Sequence, residues 1–183
     1  FRIDDIENSW AFSRSNSLIH SRLMSGHSIR NWTNYLRKCY AHLSPGGWVE
    51  AQEVTLLPHC LPSGPFPPNS YILQWHALFI SGMRKAGYDL CISAEEIAAA
   101  MEQVGFVDIH IRNETLPMGP WCSEARLREA GELIRDSMLI GIGGYSCAVF
   151  TRILGWEVLN LELFLKNVRK EWRSKNIHGF WNL

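Results

Sequence analysis

Ile29, Trp32, Tyr35, Leu36, Cys39, Tyr40 and Leu43 recur at spacings of three and four, the period of one helix face, and Ser28 precedes them as an N-cap. The same period predicts a helix over Tyr71–Lys85, with Ile72, Trp75, Leu78, Phe79 and Met83 on one side. A third covers Ala94–Val104, opened by a capping box of Ser93 with Glu96 and closed by Gly105. Leu127, Ala130, Ile134 and Met138 mark a fourth, ending at the glycines Gly141, Gly143 and Gly144. Val158, Leu161, Leu165, Val168 and Trp172 mark the last long one. Strands are predicted where the period falls to two or the apolar run is short: residues 1–3, 18–20, the stretch after Gly47, and 107–112, where Val107, Ile109 and Ile111 alternate with Asp108, His110 and Arg112. Residues 177–183 read as a strand just beginning. Alternating helices and strands of this kind predict an α/β fold.

The most informative stretch is LSPGGWVEAQE, from Leu43 to Glu53. Proline sets φ at the first corner of a tight turn and Gly46 or Gly47 supplies positive φ at the second, so helix and strand lie side by side as half of a βαβ unit. Glu50, Gln52 and Glu53 then sit at the carboxyl edge of a sheet, where open α/β folds bind ligands. Proline density in HCLPSGPFPPN, residues 59–69, predicts a loop that continues neither helix nor sheet, a lid or a connector. No Gly-x-Gly-x-x-Gly loop occurs, and the first residue is Phe1. The expectation is the later part of a nucleotide-type domain.

A length of 183 residues fits one globular domain, here 1–183, and the 18 basic and 18 acidic residues cancel, giving no electrostatic footprint for nucleic acid or an anionic membrane. The basic cluster between Lys166 and Lys175 is interleaved with Val168 and Trp172, the pattern of a solvated helix face over a buried stripe. Five scattered cysteines without a Cys-x-x-Cys pair predict a reducing compartment, hence an intracellular protein of cytoplasm or nucleus. Seven scattered histidines predict no metal site. No continuous run of about 20 apolar residues predicts a membrane span.

SLIHSRLMSG, then NW followed by PGGWVEAQE, then GYSCAVFTRILGW and finally VRKEWRSKNIHGFW occur in that order. In this combination the chain resembles the LaeA-like fungal S-adenosylmethionine-dependent methyltransferases from near its first residue to its last. The resemblance implies a class I, Rossmann-like methyltransferase fold with strand order 3-2-1-4-5-7-6. Residues 1–4 would be strand 3, 18–20 strand 4, 48–55 strand 5 and 107–112 strand 6, with strands 1, 2 and most of 7 missing. It further implies methyl transfer from S-adenosylmethionine to an unknown acceptor in fungal secondary metabolism, with protein partners possible. The glycine loop and the ribose-binding carboxylate of the family fall outside the chain, so this polypeptide alone is expected to bind the cofactor poorly. The competing class is a methyltransferase-like regulatory or interaction protein without catalysis.

By the same resemblance Asp5 lies near the adenine amino group and the Ile6 N–H faces the ring, while His20, Ser21 and Arg22 lie beside the methionine portion. The plainer reading of Asp4, Asp5 and Glu7 is a solvated strand end, and that of Arg22 an ion pair with Glu50 or Glu53. His20 is the candidate base by residue type, because imidazole titrates near neutrality. Against that stands a packed histidine beside Leu18 and Ile19 with no orienting carboxylate visible in sequence. Trp121 and Tyr145 are candidates for an acceptor pocket, or core aromatics.

Overall fold

The computed structural model describes residues 5–11 and 16–183 and is a mixed α/β structure. The chain divides into two compact units, each discontinuous in sequence: residues up to Thr55 with Gly87–Asn113, and Leu56–Ala86 with Glu114–Leu183. The strand expected over residues 1–4 lies outside the described residues.

In the first unit, β1 (Asn16–Arg22) and β2 (Leu43–Gln52) pair in parallel, with α1 (Trp32–His42) between them in sequence. The helix starts three residues later than its apolar period suggested. Met24 O accepts from the backbone N–H groups of Ser28 and Ile29, closing a separate turn, and Ser28 Oγ is engaged with His27. Asn31 then caps the helix by accepting from Asn34 N at 2.9 Å. α1 leads straight into β2, so Pro45, Gly46 and Gly47 are not its connector. Asn16 pairs with Leu43 and Leu18 already with Trp48, so residues 44–47 form a bulge within β2, with Gly46 at φ 79°. A Cβ on Gly47 would stand 2.9 Å from Ser44 O and 3.1 Å from Asn16 O, which explains a glycine there.

One face of this sheet carries Ile19, Val49 and Ala51 against Trp32, Tyr35, Leu36 and Cys39 of α1 and Ile97 of α3 (Ala94–Val104). α3 has the predicted capping box and ends on Gly105 in the left-handed region. The opposite face keeps Leu18 and Trp48 largely exposed. Residues 107–112 are not a strand. Asp108 takes φ 54°, Val107 and Ile111 are exposed, and His110 stacks on Trp48 instead of extending a ladder. Alternation alone could not supply the backbone partner that a strand requires.

The second unit contains a three-stranded sheet in the order β3 (Thr55–Cys60), β5 (Gly179–Asn182), β4 (Thr115–Pro117), with β4 and β5 antiparallel. β3 thus reaches His59 and Cys60, where sequence expected loop, and it tolerates Pro58 because it is an edge strand. Helix α2 (Tyr71–Lys85) is capped by Ser70, and Glu171 of α5 (Val158–Trp172) accepts from Ser70 Oγ and from Tyr71 N at 2.7 Å. Helix α4 (Ala125–Ala148) passes through Gly141, Gly143 and Gly144 into a π-helical turn, Val149–Ile153, instead of stopping at them. Each helical glycine costs about 1 kcal/mol relative to alanine. Burial of Ile142, Val149 and Phe150 and the bond from Trp75 Nε1 to Ser146 Oγ at 2.8 Å outweigh that. By length and composition this continuous helix, Ala125–Ile153, is apolar enough to cross a membrane, although polar residues interrupt every apolar run within it. Its buried side belongs to the core of this unit.

Candidate active site

Parallel pairing sets the candidate site in the first unit. From Leu18 onward the register is direct, with His20 opposite Glu50, Ser21 opposite Ala51 and Arg22 opposite Gln52. Side chains alternate across a strand, so Ile19 and Ser21 turn toward the core while Leu18 and His20 point the other way, as do Trp48 and Glu50. His20 Nδ1 lies 3.0 Å from Glu50 Oε2, with 41% and 54% of the two side chains exposed. His20 thus has beside it an orienting carboxylate that its neighbours in sequence do not reveal. The signal was available only as a conditional: if strands 18–20 and 48–55 pair in parallel, His20 and Glu50 sit equally far along them.

The chain leaves β1 over the end of β2. Leu23 adopts φ 55° and donates from its N–H to Gln52 O at 2.8 Å. Glu53 fixes this crossing by accepting from Met24 N at 2.8 Å, Ser25 N at 3.1 Å and Ser25 Oγ at 2.9 Å. With Glu53 so engaged and Glu50 facing His20, neither forms the expected ion pair with Arg22 among the described residues. Arg22 stands exposed at the carboxyl end of β1. Ser21 is buried, and its hydroxyl lies 3.5 Å from Glu50 O, to which it donates. Burial drives the Tyr35 pKa upward and pushes the Cys39 thiol up to about 11, so both stay protonated at neutral pH and serve as packing groups.

Asp5 opens a tight turn. Its Oδ1 accepts from Glu7 N at 2.9 Å, and its carbonyl accepts from Asn8 N at 3.0 Å. The carbonyls of Ile6, Glu7 and Asn8 converge on the Lys38 ammonium of α1, and Ile6 O also accepts from Trp10 Nε1 at 3.0 Å. Glu7 binds Arg30 twice, to its N–H at 2.8 Å and its guanidinium at 2.9 Å, and the Arg30 backbone donor is the main cause of the lowered Glu7 pKa. Arg30 in turn donates to Tyr88 and lies 4.5 Å above that ring. The segment after Asp5 is thus a hydrogen-bonded turn, with Asp5 itself exposed. Lys38 and Arg30 are the residues that sequence reasoning missed; their partners are 23 or more positions away, and no local pattern announces them.

Trp121 and Tyr145 belong to the second unit. Trp121 donates to Gly179 O at 2.8 Å and stacks on His178. Tyr145 stands on α4 with about half its surface exposed, its ring against Gly141. The two have different neighbours among the described residues. Among the described residues, no group of three or more His, Cys, Asp or Glu is placed to hold a metal ion.

Comparison with known proteins gives this arrangement a family. The chain is 31% identical over 182 residues to the methyltransferase pytC of Aspergillus terreus, covering 100% of this chain and 55% of that protein. It is 27% identical over 177 residues to the secondary metabolism regulator laeA of Aspergillus fumigatus, covering 96% of this chain and 47% of the other. It is likewise 27% identical over 177 residues to the probable methyltransferase tdiE of Emericella nidulans, covering 97% and 55%. The chain thus spans about half the length of these relatives. No solved structure matches it at a significant level. The resemblance to LaeA-like fungal methyltransferases is therefore supported along nearly the whole chain. Residues 1–111, which include the β1–β2 pair and its polar carboxyl edge, match the family model described as "Methyltransferase domain", and the chain belongs to that family.

Proposed function

We propose that this chain carries the adenine side and the acceptor side of an S-adenosylmethionine site in a class I, Rossmann-like methyltransferase, with β1 and β2 as strands 4 and 5. The observation that carries it is the in-register parallel pair, which collects His20, Arg22, Glu50 and Gln52 at the carboxyl edge where open α/β sheets bind ligands. When bound, S-adenosylmethionine supplies a methyl group activated on a sulfonium sulfur. Asp5 fits the adenine amino group because its carboxylate is an acceptor on a turn that Lys38 holds by three carbonyls. The Ile6 N–H belongs to the same turn. Arg22 and His20 line the edge from β1, whereas the Ser21 side chain is buried, its hydroxyl donating to Glu50 O at 3.5 Å. Holding acceptor and methyl at attack distance supplies much of the rate, since such positioning is worth about 7 to 11 kcal/mol.

A relative named as a secondary metabolism regulator supports a role in fungal secondary metabolism, and five free thiols fit an intracellular protein. The name "regulator" carried by the A. fumigatus relative favours a second reading, a methyltransferase-like regulator without catalysis. Titration calorimetry with S-adenosylhomocysteine on the full-length polypeptide separates them. The methyltransferase reading expects micromolar binding that weakens by roughly 0.5 to 3 kcal/mol in Asp5→Ala, the range for one lost hydrogen bond. No binding by the full-length protein refutes it.

A further inference from the structure

We propose that Glu50 is a positioning residue that locks His20 as the base for an acceptor bearing a proton, an O–H or N–H nucleophile and not a thioether. This rests on the methyltransferase reading above and deepens it. His20 Nδ1 faces Glu50 Oε2 at 3.0 Å across directly registered parallel strands, so the carboxylate is delivered by backbone pairing and not by a chance surface approach. A carboxylate only accepts, which places the imidazole proton on Nδ1 and leaves the Nε2 lone pair as the basic site.

Leu18 and Trp48 form the preceding register pair on the same face, two residues back along each strand, so the dyad adjoins an apolar step suited to the carbon skeleton of an acceptor. An exposed histidine–carboxylate pair adds little to folding stability, so stability alone does not account for it. In the step implied, the acceptor oxygen or nitrogen forms a bond to the methyl carbon. The carbon–sulfur pair returns to sulfur, leaving a neutral thioether, and the acceptor proton passes to His20 Nε2. A thioether acceptor has no proton to lose and gives the dyad no role.

The test uses the full-length polypeptide with nitrogen-15-labelled histidine, in wild-type and Glu50→Gln forms. Ring nitrogen shifts above neutral pH are expected to report the Nδ1–H tautomer in the wild type and a tautomer mixture in the variant. A wild-type ring that is already mixed, or one unaffected by Glu50→Gln, overturns the proposal whether or not the protein turns over. With labelled S-adenosylmethionine, p-cresol and dimethyl sulfide serve as paired acceptors, one bearing a proton and one not. Glu50→Gln is expected to lower the p-cresol to dimethyl sulfide rate ratio by about 10- to 100-fold, the range for loss of an orienting partner. An unchanged ratio overturns the assignment, as does wild-type transfer to dimethyl sulfide alone or to neither probe. Failure of the underlying methyltransferase reading shows separately, as absent S-adenosylhomocysteine binding with the ring tautomer still locked.

Discussion

His76 is expected to make the second unit acid-sensitive through a single buried ring. Its Nδ1 lies 2.8 Å from Ile72 O, and Trp181 Nε1 lies 3.1 Å from its Nε2. Indole N–H only donates and a carbonyl only accepts, so the neutral ring with its proton on Nδ1 satisfies both contacts, and a proton on Nε2 would face the indole proton. Trp75, Trp172 and Trp181 surround the ring, and this burial lowers its pKa from 6.5 to about 4. The unfolded chain takes up the proton near pH 6.5 while the folded chain refuses it until about pH 4. The contribution is therefore fully present above pH 6.5 and is lost as pH falls through the interval to about 4, with no further loss below. At 1.36 kcal/mol for each pH unit, the loss over that interval is roughly 3 kcal/mol. His76→Gln keeps a donor for Ile72 and an acceptor for Trp181 but does not titrate. Urea unfolding followed by tryptophan fluorescence, at steps from pH 7.5 to 4, should give a wild-type curve that falls about 3 kcal/mol more steeply than the variant's. Carboxylates titrate in both proteins and cancel in the difference. Parallel curves would refute the buried neutral ring.

Glu53→Ala should destabilise the first unit by about 1 to 3 kcal/mol in urea unfolding, because Met24 N, Ser25 N and Ser25 Oγ lose their common acceptor; a change below 0.5 kcal/mol would show that water replaces it. Gly131→Ala should destabilise the second unit by about 1 to 3 kcal/mol, since its Cβ would stand 2.1 Å from Gly119 O, which is backbone and yields only if the chain moves; an unchanged melting temperature contradicts this. Lys38→Met removes the cation on which three carbonyls converge and should speed amide exchange at Glu7 and Asn8, with weaker S-adenosylhomocysteine binding by the full-length protein; unchanged exchange would show that the turn holds itself through Asp5.

Elements whose causes are local were legible. Tyr71–Lys85 and Ala94–Val104 appear with their predicted bounds, and Val158–Trp172 contains the predicted stripe, because an apolar stripe and a cap, such as Ser93 with Glu96, act within a few residues. Misreadings arose where distant contacts overrode local preference. Gly141, Gly143 and Gly144 do not end α4, because Ile142 and Ser146 are held from outside the helix. Residues 107–112 alternate correctly but pair with no strand among the described residues. Pro-Gly-Gly reads as a connector until the pairing of Asn16 with Leu43 turns it into a bulge.

The sequence by itself determined the α/β class, most helices and, through ordered motifs, the family. It also placed His20, Arg22 and Glu50 near strand ends, because strand position is a local property. Only the tertiary structure decided what those residues do to one another. The parallel register set His20 against Glu50 and away from the core, and Glu53 was taken by backbone N–H groups that lie 28 and 29 positions away in sequence. A hydrogen bond depends on separation in space to a few tenths of an ångström. One-residue slips in register send a side chain to the opposite face of a sheet, and the chain folds that fix register are not written in any local pattern.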